Sequence, residues 1–173
     1  SNSKLRVLSI IQARLGSSRL PGKVLAEIDG RAQIDFLINR LGKARLLGQL
    51  VLATSDKKRD LPVATVGEIN NIPIIRGPED DVLTRFLMAL DDHPADIVVR
   101  ITGDNPLTSP EIFDRVVEYL IANDLDYAHA PNAPYGGAVD VFSAAALRYC
   151  GDNANSAFER EHINGYILNN QQE

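Results

Sequence analysis

Between residues 10 and 23 the chain reads IIQARLGSSRLPGK, an apolar run followed at once by Arg14, Gly16, Ser17, Ser18, Arg19, Pro21, Gly22 and Lys23. A solvated turn uses the glycines and the proline, but it has no need of three cations and two hydroxyls. Successive N–H groups in a glycine-rich turn form a concavity for anions. Gly16 and Gly22 let the backbone approach a ligand, Ser17 and Ser18 donate hydrogen bonds, and Arg14, Arg19 and Lys23 supply charge for a triphosphate. The spacing is not that of a P-loop. That motif has four residues between its glycines and Ser or Thr after the lysine, whereas Val24 follows Lys23 here. The plainer alternative is a solvated loop with incidental charges.

A second candidate is RITGDNPLTSPE, 100–111. Gly103 turns the chain and Asp104 is presented at a strand tip. A carboxylate there suits Mg²⁺, which takes one or two protein carboxylates together with phosphate oxygens. An Asx-turn made by Asp104 or Asn105 explains the same residues without a metal. In RGPEDDVLTRF, 76–86, Asp80 and Asp81 suit the cap of a following helix, and Arg85 lies one turn further on. In EREHINGYI, 159–167, the charges read as a solvated helix face. His93, His129 and His162 show no metal-ligand spacing, and Cys150 is alone, which excludes an intrachain disulfide and a thiolate metal cage.

The elements that must position these groups follow from periodicity. Leu5 to Ile11 reads as a buried parallel strand. Ile34, Leu37, Ile38 and Leu41 mark a helix over 32–47 that Gly48 ends. Residues 50–54 form a second strand, 60–70 a weaker helix interrupted by Gly67, and 72–75 a third strand. Leu83, Phe86, Leu87 and Leu90 mark a helix, and 96–102 a fourth strand. Ser109 and Pro110 start a further helix, with Phe113, Val116, Val117 and Leu120 on its buried face. Strands at 127–130 and 139–143 and helices near 143–150 and 157–168 complete the chain, with 130–138 as the one long loop. Alternating strands and helices predict an α/β fold with a parallel sheet covered on both faces. Ligands of such sheets bind beyond the carboxyl ends of the strands. The loops 12–23, 54–58 and 103–108 all fall there.

The 173 residues suffice for one domain, 3–173, with a full core. Hydrophobic content of 45% and charged content of 24% are those of an ordinary globular protein. No apolar run is long enough to span a bilayer, and no signal-peptide pattern opens the chain. Ser1 and Asn2 read as a cloning remnant and are set aside. A cytoplasmic protein without membrane attachment is expected. The net charge of −5 argues against a nucleic-acid partner, and it makes the basic loop at 14–23 stand out as a site for a small anion.

Taken together, IIQARLGSSRLPGKVLAEIDG, VLATSD, RGPEDDVLTRF, VVRITGDNPLTSPEIFDRVV, VFSAAAL and EREHINGYI resemble the SpsF-type cytidylyltransferases of spore coat polysaccharide biosynthesis, relatives of the CMP-KDO and CMP-sialic acid synthetases. The resemblance runs from about Leu5 to Leu168. It implies a three-layer α/β/α, Rossmann-like nucleotidyltransferase fold with a mostly parallel sheet. The implied reaction turns CTP and a sugar, often a sugar acid, into a CMP-sugar and pyrophosphate. By the same likeness Gln12, Ala13, Arg14, Gly16, Ser17, Ser18, Arg19 and Lys23 match the triphosphate loop, and Asp104 matches the carboxylate for Mg²⁺. Thr54, Ser55, Asp56, Gly77, Asp81 and Arg85 fall near base and ribose, and Asn105 and Asp140 near the sugar. Arg14, Lys23 and Asp104 are the implied catalytic groups.

Two departures stand out. Where relatives carry Asp-Val-Glu-Val-Phe, this chain has Ala138-Val139-Asp140-Val141-Phe142, which bears on sugar binding. Relatives also continue for several dozen residues past EREHINGYI, so the domain is expected to lack their usual C-terminal segment, which contributes to their homodimer. Two other functions compete with CMP-sugar synthesis. One is a nucleotide-binding module without turnover. The other is a nucleotidyltransferase of the same fold with another base preference. A purely structural protein leaves the basic loop unexplained.

Overall fold

A computed structural model describes residues 4–14, 30–103, 108–130 and 139–153. Six strands form one sheet: β1 (Val7–Gln12), β2 (Gln49–Ser55), β3 (Ile74–Gly77), β4 (Ile97–Thr102), β5 (Tyr127–His129) and β6 (Val139–Ser143). Five helices cover it: α1 (Gly30–Leu41), α2 (Leu61–Ile69), α3 (Val82–Asp92), α4 (Pro110–Ala122) and α5 (Ala144–Asn153). The strand order is β3-β2-β1-β4-β6-β5. β1 pairs in parallel with both β2 and β4, and β3 continues the parallel set beyond β2.

The predicted mostly parallel sheet is present, with one reversal. β6 runs antiparallel to both of its neighbours, β4 and β5. The cause is the length of the preceding connection. A parallel crossover needs a dozen or more residues, and the stretch 130–138 is too short for one. β5 therefore points the same way as β1–β4, and its last residue, His129, stands level with Arg100 of β4.

Alternating strand residues feed two cores. Val7, Ile11, Leu52, Val99, Ile101 and Val141 pack with α1, α2 and α4, through Leu37, Val63, Phe113 and Val117 among others. Leu8, Ile10, Val51, Ala53, Val98 and Phe142 pack on the other face with α3 and α5, against Leu83, Phe86, Leu90 and Leu147. Each large apolar side chain buried in this way contributes about 1.5–3 kcal/mol. This makes three layers, α/β/α. As predicted, Ser109 caps α4, its Oγ accepting from the Ile112 N–H at 3.3 Å, and Pro110 is the first helical residue.

Three boundaries differ from the periodicity. α1 stops at Leu41 rather than at Gly48, because Gly42, Lys43 and Ala44 turn back onto Ile38, Arg40 and Leu41. Gly48 serves the next strand instead. At φ +63° it leads into β2, where a Cβ would lie 2.0 Å from the Val7 carbonyl oxygen. α2 runs through Gly67 without interruption. That glycine is a packing device, since a Cβ there would meet Ile74 Cγ1 at 2.8 Å. β3 begins at Ile74 rather than at residue 72. The Ile72 N–H is already spent on the Gly67 carbonyl at the end of α2, and Pro73 has no N–H to give. The helix expected at 157–168 lies outside the described residues.

Candidate active site

The carboxyl ends of the parallel strands are knitted together by backbone bonds. The Ala13 N–H donates to the Ala53 carbonyl at 3.1 Å, Gly103 to Gln12 at 2.8 Å, and Asp56 to Gly77 at 2.8 Å. Gly103 permits the closest of these approaches, because a Cβ on it would stand 2.9 Å from the Cβ of Ala13. The segments that leave β1 and β4 therefore emerge side by side. Gly16, Ser17, Ser18, Arg19, Lys23, Asp104, Asn105 and Ala138 lie outside the described residues. Among the described residues, no group of three or more His, Cys, Asp or Glu side chains is placed to hold a metal ion.

The described part of the site has two centres. The first is Glu79, in the loop between β3 and α3. Its carboxylate accepts from Arg14 Nη1 at 3.3 Å and also from Arg59, on the short 3-10 turn Lys58–Asp60 that precedes α2. The Arg59 hydrogen bond, backed by the charges of Arg59, Arg14 and Lys57, holds Glu79 below the usual carboxylate range against the opposing effect of burial. The loop itself is braced from beneath. The buried Arg85 donates from Nη1 to the carbonyls of Pro78 at 2.6 Å and Glu79 at 2.7 Å. Gly77 leaves room for its stem, since a Cβ there would lie 3.0 Å from Arg85 Cγ. Asp81 caps α3, accepting from the Thr84 N–H at 3.0 Å.

The neighbouring turn is built in the same way. Ser55 is buried; its hydroxyl donates to Asp60 and accepts from the Lys57 N–H. Arg76 donates to the Ser55 carbonyl at 3.1 Å and the Lys57 carbonyl at 2.7 Å. Thr54 is buried, and its Oγ1 has no hydrogen-bond partner among the described residues. Gly77, Asp81, Arg85 and Ser55, singled out from sequence, thus shape the two loops that carry Glu79 and Arg59. Asp56 is tied by its backbone and keeps an exposed side chain.

The second centre is Asp140, on the sheet face that carries α3 and α5. Arg100 on β4 and His129 on β5 are its register partners to either side. Oδ2 accepts from Arg100 Nη2 at 2.6 Å and Nε at 3.0 Å. Oδ1 accepts from the Tyr127 hydroxyl at 2.6 Å and lies 2.9 Å from His129 Nδ1. Burial alone would push this carboxyl up. The charge of Arg100 and the hydrogen bonds from Tyr127, Arg100 and His129 outweigh that and hold it below the usual carboxylate range. Phe142 backs the group, its ring 5.2 Å from that of Tyr127 and 6.0 Å from the Arg100 guanidinium.

Arg14 and Gln12 therefore stand at the end of β1, and Asp140 two strands away on β6. The sequence reasoning missed Glu79, Arg59, Arg76, Arg100, Tyr127 and the pairing of His129. One signal was available for the second centre: Arg100, Asp140 and His129 are ionisable residues set inside three otherwise apolar strands, where a buried charge needs a partner.

Helices on both faces of a mostly parallel sheet, with cation-bearing loops at its carboxyl edge, define an α/β nucleotide-binding architecture. The particular family is given by comparison. The chain belongs to the cytidylyltransferase family, whose model matches residues 8–173, and so to the nucleotidyltransferase enzymes. It is 40% identical to an uncharacterized protein, MJ1063, of Methanocaldococcus jannaschii, over 96% of this chain and 68% of that one. It is 34% identical to the spore coat polysaccharide biosynthesis protein SpsF of Bacillus subtilis, over 94% of this chain and 70% of that one. The 3-deoxy-manno-octulosonate cytidylyltransferase of Pelobacter propionicus matches at 31% identity over 68% of this chain, which spans 45% of that relative. A cytidylyltransferase structure from Leptospira borgpetersenii superposes with a TM-score of 0.88 at 28% identity, covering 98% of this chain and 73% of that one. The expected SpsF-type, CMP-KDO-related ancestry and the α/β/α nucleotidyltransferase fold are thereby borne out.

Proposed function

We propose that the chain transfers CMP from CTP to a hydroxyl of a sugar, most naturally a sugar acid, and releases pyrophosphate, for the synthesis of a surface polysaccharide in the cytoplasm. The observation that carries this reading is the carboxyl edge of the sheet. There Arg14 leaves β1 beside the end of β2 and is tethered to Glu79. The family membership and the names of the relatives support it.

In this reading Arg14, Arg19 and Lys23, with the backbone and hydroxyls of Gly16, Ser17 and Ser18, hold the triphosphate. Gln12, Ala13, Thr54, Ser55 and Asp56 border the base and ribose, together with the loop braced by Gly77, Asp81 and Arg85. Asn105 and Asp140 face the acceptor side. Asp104 would hold Mg²⁺, which when bound supplies positive charge to phosphate oxygens. The protein's own contribution is positioning and charge: fixed cations around the phosphates stabilise the charge that develops as the sugar oxygen attacks in line.

The test is calorimetric titration with CTP, ATP, GTP and UTP, with and without Mg²⁺. It is paired with a pyrophosphate-release assay over a panel of sugar acids that includes 3-deoxy-manno-octulosonate. Selective CTP binding that Lys23→Ala abolishes, with pyrophosphate release on at least one sugar, is the expected result. CTP binding without release would leave a nucleotide-binding module. Preference for another base would place the chain elsewhere within the nucleotidyltransferase fold.

A further inference from the structure

We infer that His129 is the general base for the acceptor, with Asp140 as its positioning residue: Nε2 of His129 takes the proton from the attacking sugar hydroxyl. The inference rests on the proposed transfer reaction and adds a residue to it. The Asp140 carboxylate can only accept a hydrogen bond, so the contact at 2.9 Å requires the proton on His129 Nδ1. This leaves the lone pair on Nε2, and no described residue bonds to that nitrogen. The pair is not symmetrical in exposure: the Asp140 side chain is 5% exposed and that of His129 is 43% exposed. A buried carboxylate behind a half-exposed imidazole is the arrangement that fixes a tautomer and stabilises the imidazolium once formed.

Position supports the same role. His129 is the last residue of β5, which runs in the direction of β1 and β4; in the register it stands level with Arg100 and Ile10, two residues before Thr102 and Gln12. β5 is two strands from β4, and strands repeat at about 4.8 Å, so His129 stands about 10 Å from β4. A nucleotide held over β1 and β4 leaves the surface of β6 and β5 for the acceptor. Tyr127, stacked 6.5 Å from the imidazole, and Arg100 complete the setting from β5 and β4. Arg100 keeps Asp140 ionised, so the carboxylate does not take the proton itself. α5 packs over the same face through Ala144, Leu147 and the buried Cys150, while its Tyr149 and Asp152 are exposed and its Arg148 is engaged with Asp91 of α3. α4 lies against the opposite face of β5. In the step, the sugar oxygen bonds to the α-phosphorus and its proton passes to Nε2. The bond from that phosphorus to the bridging oxygen breaks, and its electron pair leaves with pyrophosphate.

The experiment uses the full chain with CTP, Mg²⁺ and whichever sugar acid gives the fastest pyrophosphate release. His129→Gln is expected to lower kcat by about 10²-fold or more and to leave the CTP affinity within about twofold of native, since the nucleotide end is untouched. In long-range ¹H–¹⁵N spectra at alkaline pH, the ring signal lost in His129→Gln should report the proton on Nδ1. A proton on Nε2, an unchanged kcat, or a rise in the sugar's KM alone would overturn the role of His129 while leaving CMP transfer standing. No pyrophosphate from the native chain with any sugar would overturn the transfer reaction, and this inference with it.

Discussion

The two acidic centres are built on opposite plans. Glu79 sits in a loop, between arginines that come from two other loops, and Arg59 is half exposed. Asp140 sits inside a strand, and its partners are fixed by the register of β4, β6 and β5. The first arrangement can rearrange around a ligand at lower cost, because Arg59 reaches solvent and ion pairs near solvent are weakened by salt. The second cannot. Removing either charge of the Arg100–Asp140 pair strands the other in the sheet. The adaptable centre belongs to the side where the phosphates are proposed to arrive and leave, and the rigid one to the side where an acceptor is oriented.

The largest effect that would test this contrast is Asp140→Ala. It should destabilise the fold by about 3–5 kcal/mol, the cost of breaking a buried pair from one side, read as a lower midpoint in urea or heat. A loss as small as that of a surface substitution would break the comparison. Next comes acid. The Asp140 carboxyl is held lower in the folded chain than in the unfolded one, where it titrates near about 3.9. Its stabilisation is therefore complete above that value and is lost as pH falls through the folded value. The stability gap between native and Asp140→Asn should accordingly narrow as pH is taken from 6 towards about 2, followed by thermal melts across the series.

The smallest effect is expected at the loop centre. Glu79→Gln should leave the melting temperature close to native. Because it removes a negative charge beside Arg14, where the triphosphate is proposed to bind, it should tighten CTP binding by about threefold at low salt, and that gain should vanish in high salt. A large drop in melting temperature would show that Glu79 is as structural as Asp140.

Much of the fold was legible because local pattern and tertiary need agreed. The apolar run of β1, the helical stripes of α3 and α4 and the Ser109–Pro110 start all announce themselves. The misplaced boundaries arose where one residue answers to a distant one. Gly48 is shaped by Val7, and Gly67 by Ile74. The direction of β6 is encoded in the length of a connection and not in any residue of the strand. The site divides in the same way. Arg14, Asp81 and Arg85 were visible as residue types in suggestive loops. Glu79 was hidden within an acidic run, because its partner Arg14 lies 65 positions away. The Asp140 group was hidden because three strands must be in register before Arg100, Asp140 and His129 form a row.

The insertion of β6 between β4 and β5 also sets an order of assembly. Among the described residues β5 pairs only with β6, so there Tyr127, Ala128 and His129 join the sheet once residues 139–143 have been made and docked. On an elongating chain the parallel part of the sheet, β1 to β4, can therefore close well before β5 and β6 are added. In amide exchange under native conditions, β5 should be the first strand to open, carrying the His129–Asp140 contact with it.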